Sequence, residues 1–392
     1  MSVAEDSFDD HVKDMLDRNL GPHKKLYPPG NRSDFNMSQE SCHLSEHRLP
    51  KRYFAVTLEN GLISVTVIPE KGADIYSIFY KPCKLDVLWK SPWGLKRPVD
   101  GLHSAGASTL TAWMEHYPGG WQEIFPNGGD ECTYKDALMN FHGEASTLPW
   151  DFNVLHADEK TISVEFSVQL FRSPFTVSRI MTIERGSPVI TFKEKVENLA
   201  EEEMHFMWGH HPAFGAPFLA EGCQIQVPAR TFRTHPSANT EAARLKGDYS
   251  TLWPHAETEE GEKVDMSVVP PAGQRAAEMG YVTDLEAGWY SIFNPEYDLG
   301  FSMSWNKDVF PHIWYWQELK GSFGYPFYGR CYTMALEPFN CIPGTGLEYA
   351  VANDLAPCLE AGGTLETELA VVFYEGEGEI ANVTTAGEVE RV

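Results

Sequence analysis

A chain of 392 residues with 42% apolar content can bury a large core, and its formal net charge of −25 argues against nucleic-acid or anionic-membrane partners, which both need basic patches. Seven cysteines without a CxxC pair fit reduced thiols better than a disulfide framework or a zinc site. No stretch reaches the roughly 18 apolar residues of a membrane helix, and the polar, acidic N-terminus lacks a secretory signal, so a cytoplasmic location is expected.

Residues 1–50 read as an N-terminal extension, polar and irregular, with one amphipathic piece at 11–20 and the punctuation Tyr27-Pro28-Pro29-Gly30. From Tyr53 the period changes to two. The run FAVTLENGLISVTVIP alternates apolar and polar residues on both sides of Asn60-Gly61, a strong hairpin signal. The same alternation recurs at 161–170, 175–186, 188–198, 223–232, 289–295, 299–305 and 365–376. Many short strands and hardly any 3.6-period segment predict an all-β sandwich or barrel, one large domain over residues 51–392.

Between the strands, aromatic residues gather with glycine, proline and polar side chains at 113–131, 140–150, 204–218, 310–328 and 337–347. Such loops suit a sugar site, where flat rings stack on the C–H face of a pyranose and fixed amides and carboxylates bond its hydroxyls. They also suit lids over a large core. In the segment at 204–218, His205, Met207, Gly209 and His211 share one face of an extended chain, and Phe206, Trp208 and His210 take the other. Only one of His210 and His211 therefore looks into any one pocket, and Pro212 marks the strand end, leaving His211 at a rim. A pair of satisfied structural histidines is the alternative.

Three groups stand out for proton transfer: His142 in NFHGE, His211 in WGHHPAFG and Glu337 in YTMALEPFN. Glu337 leaves an apolar strand next to Pro338, where desolvation would raise its pKa toward that of a useful base; a solvated strand-end glutamate is the alternative. A facing histidine and carboxylate can open a hemiacetal, one taking the anomeric hydroxyl proton as the other gives one to the ring oxygen. GxSxG, GxGxxG, P-loop and HExxH motifs are absent. His205, His210, His211, Asp130 and Glu131 show no diagnostic ligand spacing, so no metal and no cofactor are expected. A two-carboxylate glycosidase drawn from Glu123, Asp130, Glu144 or Glu337 depends on a separation the sequence does not give.

The hairpin running into VTVIPEKGADIYSI, the loop GGWQEIFPNGGDE, HGE at 142–144, FTVSRIMTIERGSPVITFKEKVEN, the strand ending in WGHHPAFG and the strand ending in ALEPFNCIPG together resemble the galactose mutarotase-like superfamily, in its aldose 1-epimerase group. The resemblance implies a twisted antiparallel β-supersandwich binding a small carbohydrate. It also implies His142 as an orienting group, His211 as general acid and Glu337 as general base. By the same likeness Gln122, Asn127, Asp130, Trp314 and Gln317 are weaker sugar contacts. Arg179, Arg330 and Asp130 stand in for the family's sugar-gripping arginine and aspartate. His210 replaces an asparagine usual before the acid histidine, and with Trp208 joins the sugar-contacting set. A homodimer is a further expectation. The alternatives carried forward are a non-catalytic carbohydrate-binding protein and a lyase or hydrolase acting on a modified sugar.

Overall fold

The structure, a computed structural model, describes residues 41–96, 108–237 and 242–392. The amphipathic piece and the proline turn read in residues 11–30 lie outside the described residues.

The period-two segments form two antiparallel sheets. The larger runs, in spatial order, through His43–Arg48, Phe54–Glu59, Ile63–Ile68, Asp74–Tyr80, Trp121–Ile124, Gly209–Gly215, Tyr332–Phe339, His312–Leu319, Ala276–Leu285, Ala229–Thr234 and Ser250–Leu252. The smaller runs through Gln224–Gln226, Trp289–Asn294, Leu299–Trp305, Thr364–Tyr374, Val189–Asn198, Phe175–Glu184, Thr161–Gln169 and Asp151–Ala157. Its alternation is clean: Ile162, Val164, Phe166 and Val168 are buried along Thr161–Gln169, and the residues between them are not. Facing rings join the sheets, with Trp121 5.1 Å from Phe192 and Phe214 5.0 Å from Phe301 between centroids.

The Asn60-Gly61 turn forms where the sequence places it. Asn60 Oδ1 accepts from the backbone of Leu62 and Ile63, and its amide donates to the carbonyls of Glu184 and Ser187, tying this turn to the tip of a hairpin in the smaller sheet. The strand His43–Arg48 pairs with Phe54–Glu59, inside the stretch read as an extension. Its sequence HLSEHR offers one aliphatic residue, so this edge strand lacks the apolar alternation that marks the others. None of the seven cysteines is joined in a disulfide, and among the described residues no helix is long and apolar enough to cross a membrane.

The outward face of the larger sheet positions the site. Trp208, His210, Pro212 and Phe214 alternate with Gly209, His211, Ala213 and Gly215, and only the first set faces the smaller sheet. A short helix, Thr109–Glu115, covers the outward face; Ser108 caps it by accepting from the Thr111 N–H at 3.2 Å.

Candidate functional site

Three central strands and one loop meet over that outward face. In the antiparallel pairing of Gly209–Gly215 with Tyr332–Phe339, Gly209 lies opposite Phe339 and Ala213 opposite Ala335, which brings His211 level with Glu337. His211 Nε2 lies 3.7 Å from Glu337 Oε1, and Tyr117 Oη lies 3.3 Å from His211 Nδ1. Glu337 Oε2 is buried with no hydrogen-bond partner among the described residues. His142 completes the group from its loop, its ring centroid 5.8 Å from that of His211. The backbone of His142 is left-handed, at φ 58°, and is clasped on both sides: its N–H donates to the Gly129 carbonyl, and its Nδ1 accepts the Gly129 N–H at 3.1 Å. A ring nitrogen that accepts an N–H carries no proton, so neutral His142 bears its hydrogen on Nε2.

These groups open on a cavity of about 1110 Å³. Trp113 and Tyr117 stack at 4.5 Å on one wall, and Trp316 lies 5.7 Å from the His211 ring on another. Removal from water sets the protonation. Burial pushes His211 down to about 4, with the nearby Lys71 charge acting the same way; it holds His142 well below the ordinary histidine value and drives Glu337 well above the ordinary carboxylate value. The two shifts run the same way: burial favours a proton held on Glu337 over one held on His211. Lys71 is buried against Asp74, Nζ to Oδ2 at 2.5 Å, and Gln122 donates to the same oxygen at 3.0 Å.

A model of one family matches residues 53–372, most of the chain. The chain belongs to the DUF4432 family, a domain of unknown function. No curated protein matches the sequence. Among solved structures, a Klebsiella pneumoniae protein provisionally assigned as an aldose 1-epimerase aligns with a TM-score of 0.62 at 13% identity, over 86% of this chain and 85% of its own. A galactose mutarotase-like protein from Clostridium acetobutylicum gives 0.59 at 14%, over 86% and 99%. A galactose mutarotase related enzyme from Lactobacillus acidophilus gives 0.55 at 17%, over 82% and 97%. The fold is galactose mutarotase-like.

Of the residues singled out by sequence, this DUF4432 chain brings His142, His211, Glu337 and Asp130 to the cavity. The others do not line it. Gln122, level with His211, supports Asp74 from below. Asn127 is a loop clasp: its amide donates to the carbonyls of Asp130 and Asn140, and its Oδ1 accepts from Leu347. Trp314 shares the face of Glu337, yet it stacks on Phe339 at 3.8 Å and lies under Gly344, where a Cβ would strike its ring. Gln317 falls on the opposite face and donates to Tyr315 Oη at 2.7 Å. Arg330 is an exposed residue over the Tyr328 ring, 5.7 Å from its centroid.

Trp208, His210 and Arg179 are corrected most sharply, since all three lie between the sheets. Trp208 Nε1 donates to Glu123 Oε1 at 2.5 Å, Arg179 Nη1 lies 3.3 Å from Glu123 Oε2, and His210 Nε2 lies 3.0 Å from Glu194 Oε2, off the direction of the ring N–H. Glu123, Glu194 and His210 have the donor types and closeness of a metal site, their ligand atoms within 4.8 Å of one another. Arg179 already supplies a positive charge there. Burial, with Glu194 beside it, raises Glu123 to about 7, and burial raises Glu194 to about 8, so a retained proton completes the neutrality.

Sequence reasoning missed Trp113, Tyr117, Trp316 and the Lys71–Asp74 pair. The first three fall in the aromatic segments 113–131 and 310–328 already marked as notable, Trp113 on the helix Thr109–Glu115 and Trp316 on the strand His312–Leu319. Lys71 and Asp74 gave no signal, because a lysine and an aspartate three apart ordinarily read as a solvated turn.

Proposed function

We propose that this chain is an isomerase of the aldose 1-epimerase kind, interconverting sugar anomers by acid–base catalysis between His211 and Glu337. The observation that carries the reading is the placement of these two groups on neighbouring strands, 3.7 Å apart on one side of an aromatic cavity. Ring opening of a hemiacetal needs one proton taken from the anomeric hydroxyl and one given to the ring oxygen. Both oxygens are bonded to the same carbon, so two catalytic groups on one side can reach them. Moving a proton from Glu337 to His211 creates the pair the step requires, carboxylate as base and imidazolium as acid. In that form Nδ1–H donates to Tyr117 Oη and Nε2–H faces the substrate. His142, with its hydrogen on Nε2, orients a sugar hydroxyl. Rotation of the open aldehyde and reclosure on its other face yields the other anomer and restores the pair.

One feature favours a second reading, a sugar-binding protein without turnover: the complete burial of Glu337 raises its pKa, which works against the base role. Proton NMR or polarimetry of freshly dissolved α-anomers decides between them. We expect accelerated equilibration that falls by about 10²–10⁴-fold in Glu337→Gln, with sugar binding by calorimetry retained. Equal rates in wild type and variant would end the acid–base assignment. Reduced thiols support a cytoplasmic setting for this reaction.

A further inference from the structure

We propose that the cleft takes a reducing saccharide of two or more residues, its reducing end at His211 and Glu337 and its next residue on an outer aromatic subsite formed by Phe323, Tyr325 and Arg275. This rests on reading the cleft as a sugar site. The cavity, about 1110 Å³, exceeds the roughly 300–1,000 Å³ typical of pockets for drug-sized ligands, so a single hexose fills only its inner end between Trp113, Tyr117 and Trp316. The outer end has its own construction. Phe323 and Tyr325, on the loop between His312–Leu319 and Tyr332–Phe339, leave 66% and 52% of their surfaces in water while lining the cavity. Large aromatic surface held exposed at a cavity mouth marks a binding surface more often than a packing failure.

The loop carrying them is braced. Glu318 accepts from the backbone of Gly321 and Ser322 at 3.0 and 3.1 Å and from the Ser322 hydroxyl, and Gly329 N–H donates to the Ser322 carbonyl at 2.7 Å. Tyr325 Oη reaches across the mouth to the Thr111 carbonyl at 3.4 Å, joining the loop to the helix Thr109–Glu115. Such bracing fixes the rings before a ligand arrives, which lowers the ordering cost of binding. Arg275 lies over the Phe323 ring, 4.9 Å from its centroid, and makes no ion pair among the described residues, so its planar fork of donors is available to hydroxyls. Flat rings beside a donor fork are the complement of a sugar ring, apolar on its C–H face and hydroxylated at its edge. The reacting residue must keep its anomeric hydroxyl free, so the outer residue is joined through another hydroxyl, as in a reducing disaccharide.

Calorimetric titration with maltose, cellobiose and lactose, against glucose and galactose, reads the proposal on the intact chain. At least one disaccharide should bind about tenfold more tightly than the monosaccharide of its reducing end, and Phe323→Ala and Arg275→Ala should each cut that ratio several-fold. A ratio near one for every pair, or a preference that survives both substitutions, overturns the subsite. Preferential binding with no acceleration of anomer exchange keeps the subsite and removes the acid–base reading; acceleration with a ratio of one does the reverse. No binding of any sugar overturns both.

Discussion

His210 and His211 are neighbours on one strand, both buried, both held at about 4 by removal from water, and each faces a glutamate, at 3.0 and 3.7 Å. Their surroundings differ. The His210 ring meets Trp121 and Phe310 at 5.6 and 5.4 Å and shares its glutamates with Arg179, closed in by both sheets. His211 meets Tyr117 and Trp316 and opens on the cavity. Perturbed protonation is thus common to a structural cluster and a candidate catalytic pair, and access to a ligand is what separates them.

Parallel substitutions sharpen that contrast. His211→Asn should slow anomer exchange by about 10²–10⁴-fold with the fold intact, whereas His210→Asn should leave turnover per folded molecule within a few-fold. A comparable rate loss in both variants would break the comparison. The inner cluster should answer in stability instead. Arg179→Met strips the cluster of its guanidinium and should cost about 3–5 kcal/mol in denaturant unfolding at pH 8. The loss should shrink toward pH 5, where Glu123 and Glu194, raised to about 7 and about 8, are both protonated and need no countercharge. A penalty independent of pH would remove charge neutralisation as the role of Arg179.

The smallest effect concerns Glu337 itself. Its folded pKa lies above the unfolded value, so the folded state holds the proton more tightly, and its contribution to stability is greatest at low pH and is lost as pH rises through the folded pKa. His211 acts oppositely: its folded pKa near 4 makes stability fall as pH drops below the unfolded value. Glu337→Gln should therefore gain a few degrees in Tm at pH 8 over wild type and nothing at pH 4.5. The wild-type rate profile should be bell-shaped, with its acid limb near pH 4, where the pair takes up a second proton, and a flat profile would contradict the shared-proton pair.

The sandwich was legible because side-chain alternation is a local property, and two buried faces write it into nearly every strand. Alternation also stated that His210 and His211 must part company; it did not say which of them the smaller sheet would cover. Gln317 was lost to the same ambiguity, one residue away from the cavity-lining Trp316. Trp314 failed for a different reason. Its face was right, but a loop from residues 341–346 roofs it, and nothing near Trp314 in the sequence encodes that loop's path. Asn127 is implied as a sugar contact by the likeness of its loop and is instead a backbone clasp, since an amide bonds carbonyls as readily as hydroxyls.

The interlock of Gly129 with Gly344 reaches beyond the shape of the wall. Gly129 bridges Thr345, Gly346 N–H donates to the Gly128 carbonyl, and Leu347 N–H donates to Asn127 Oδ1 at 2.7 Å across 220 residues of chain. The two segments approach so closely that a Cβ on Gly129 would collide with the backbone of Gly344, and Gly129 is the residue that clasps His142. His142 is therefore seated only after the segment following Glu337 has arrived. During folding, closure over such a sequence distance comes late. A nascent or clipped chain that has built most of its sheets has no half-formed cleft, and the cavity wall is completed together with the sandwich.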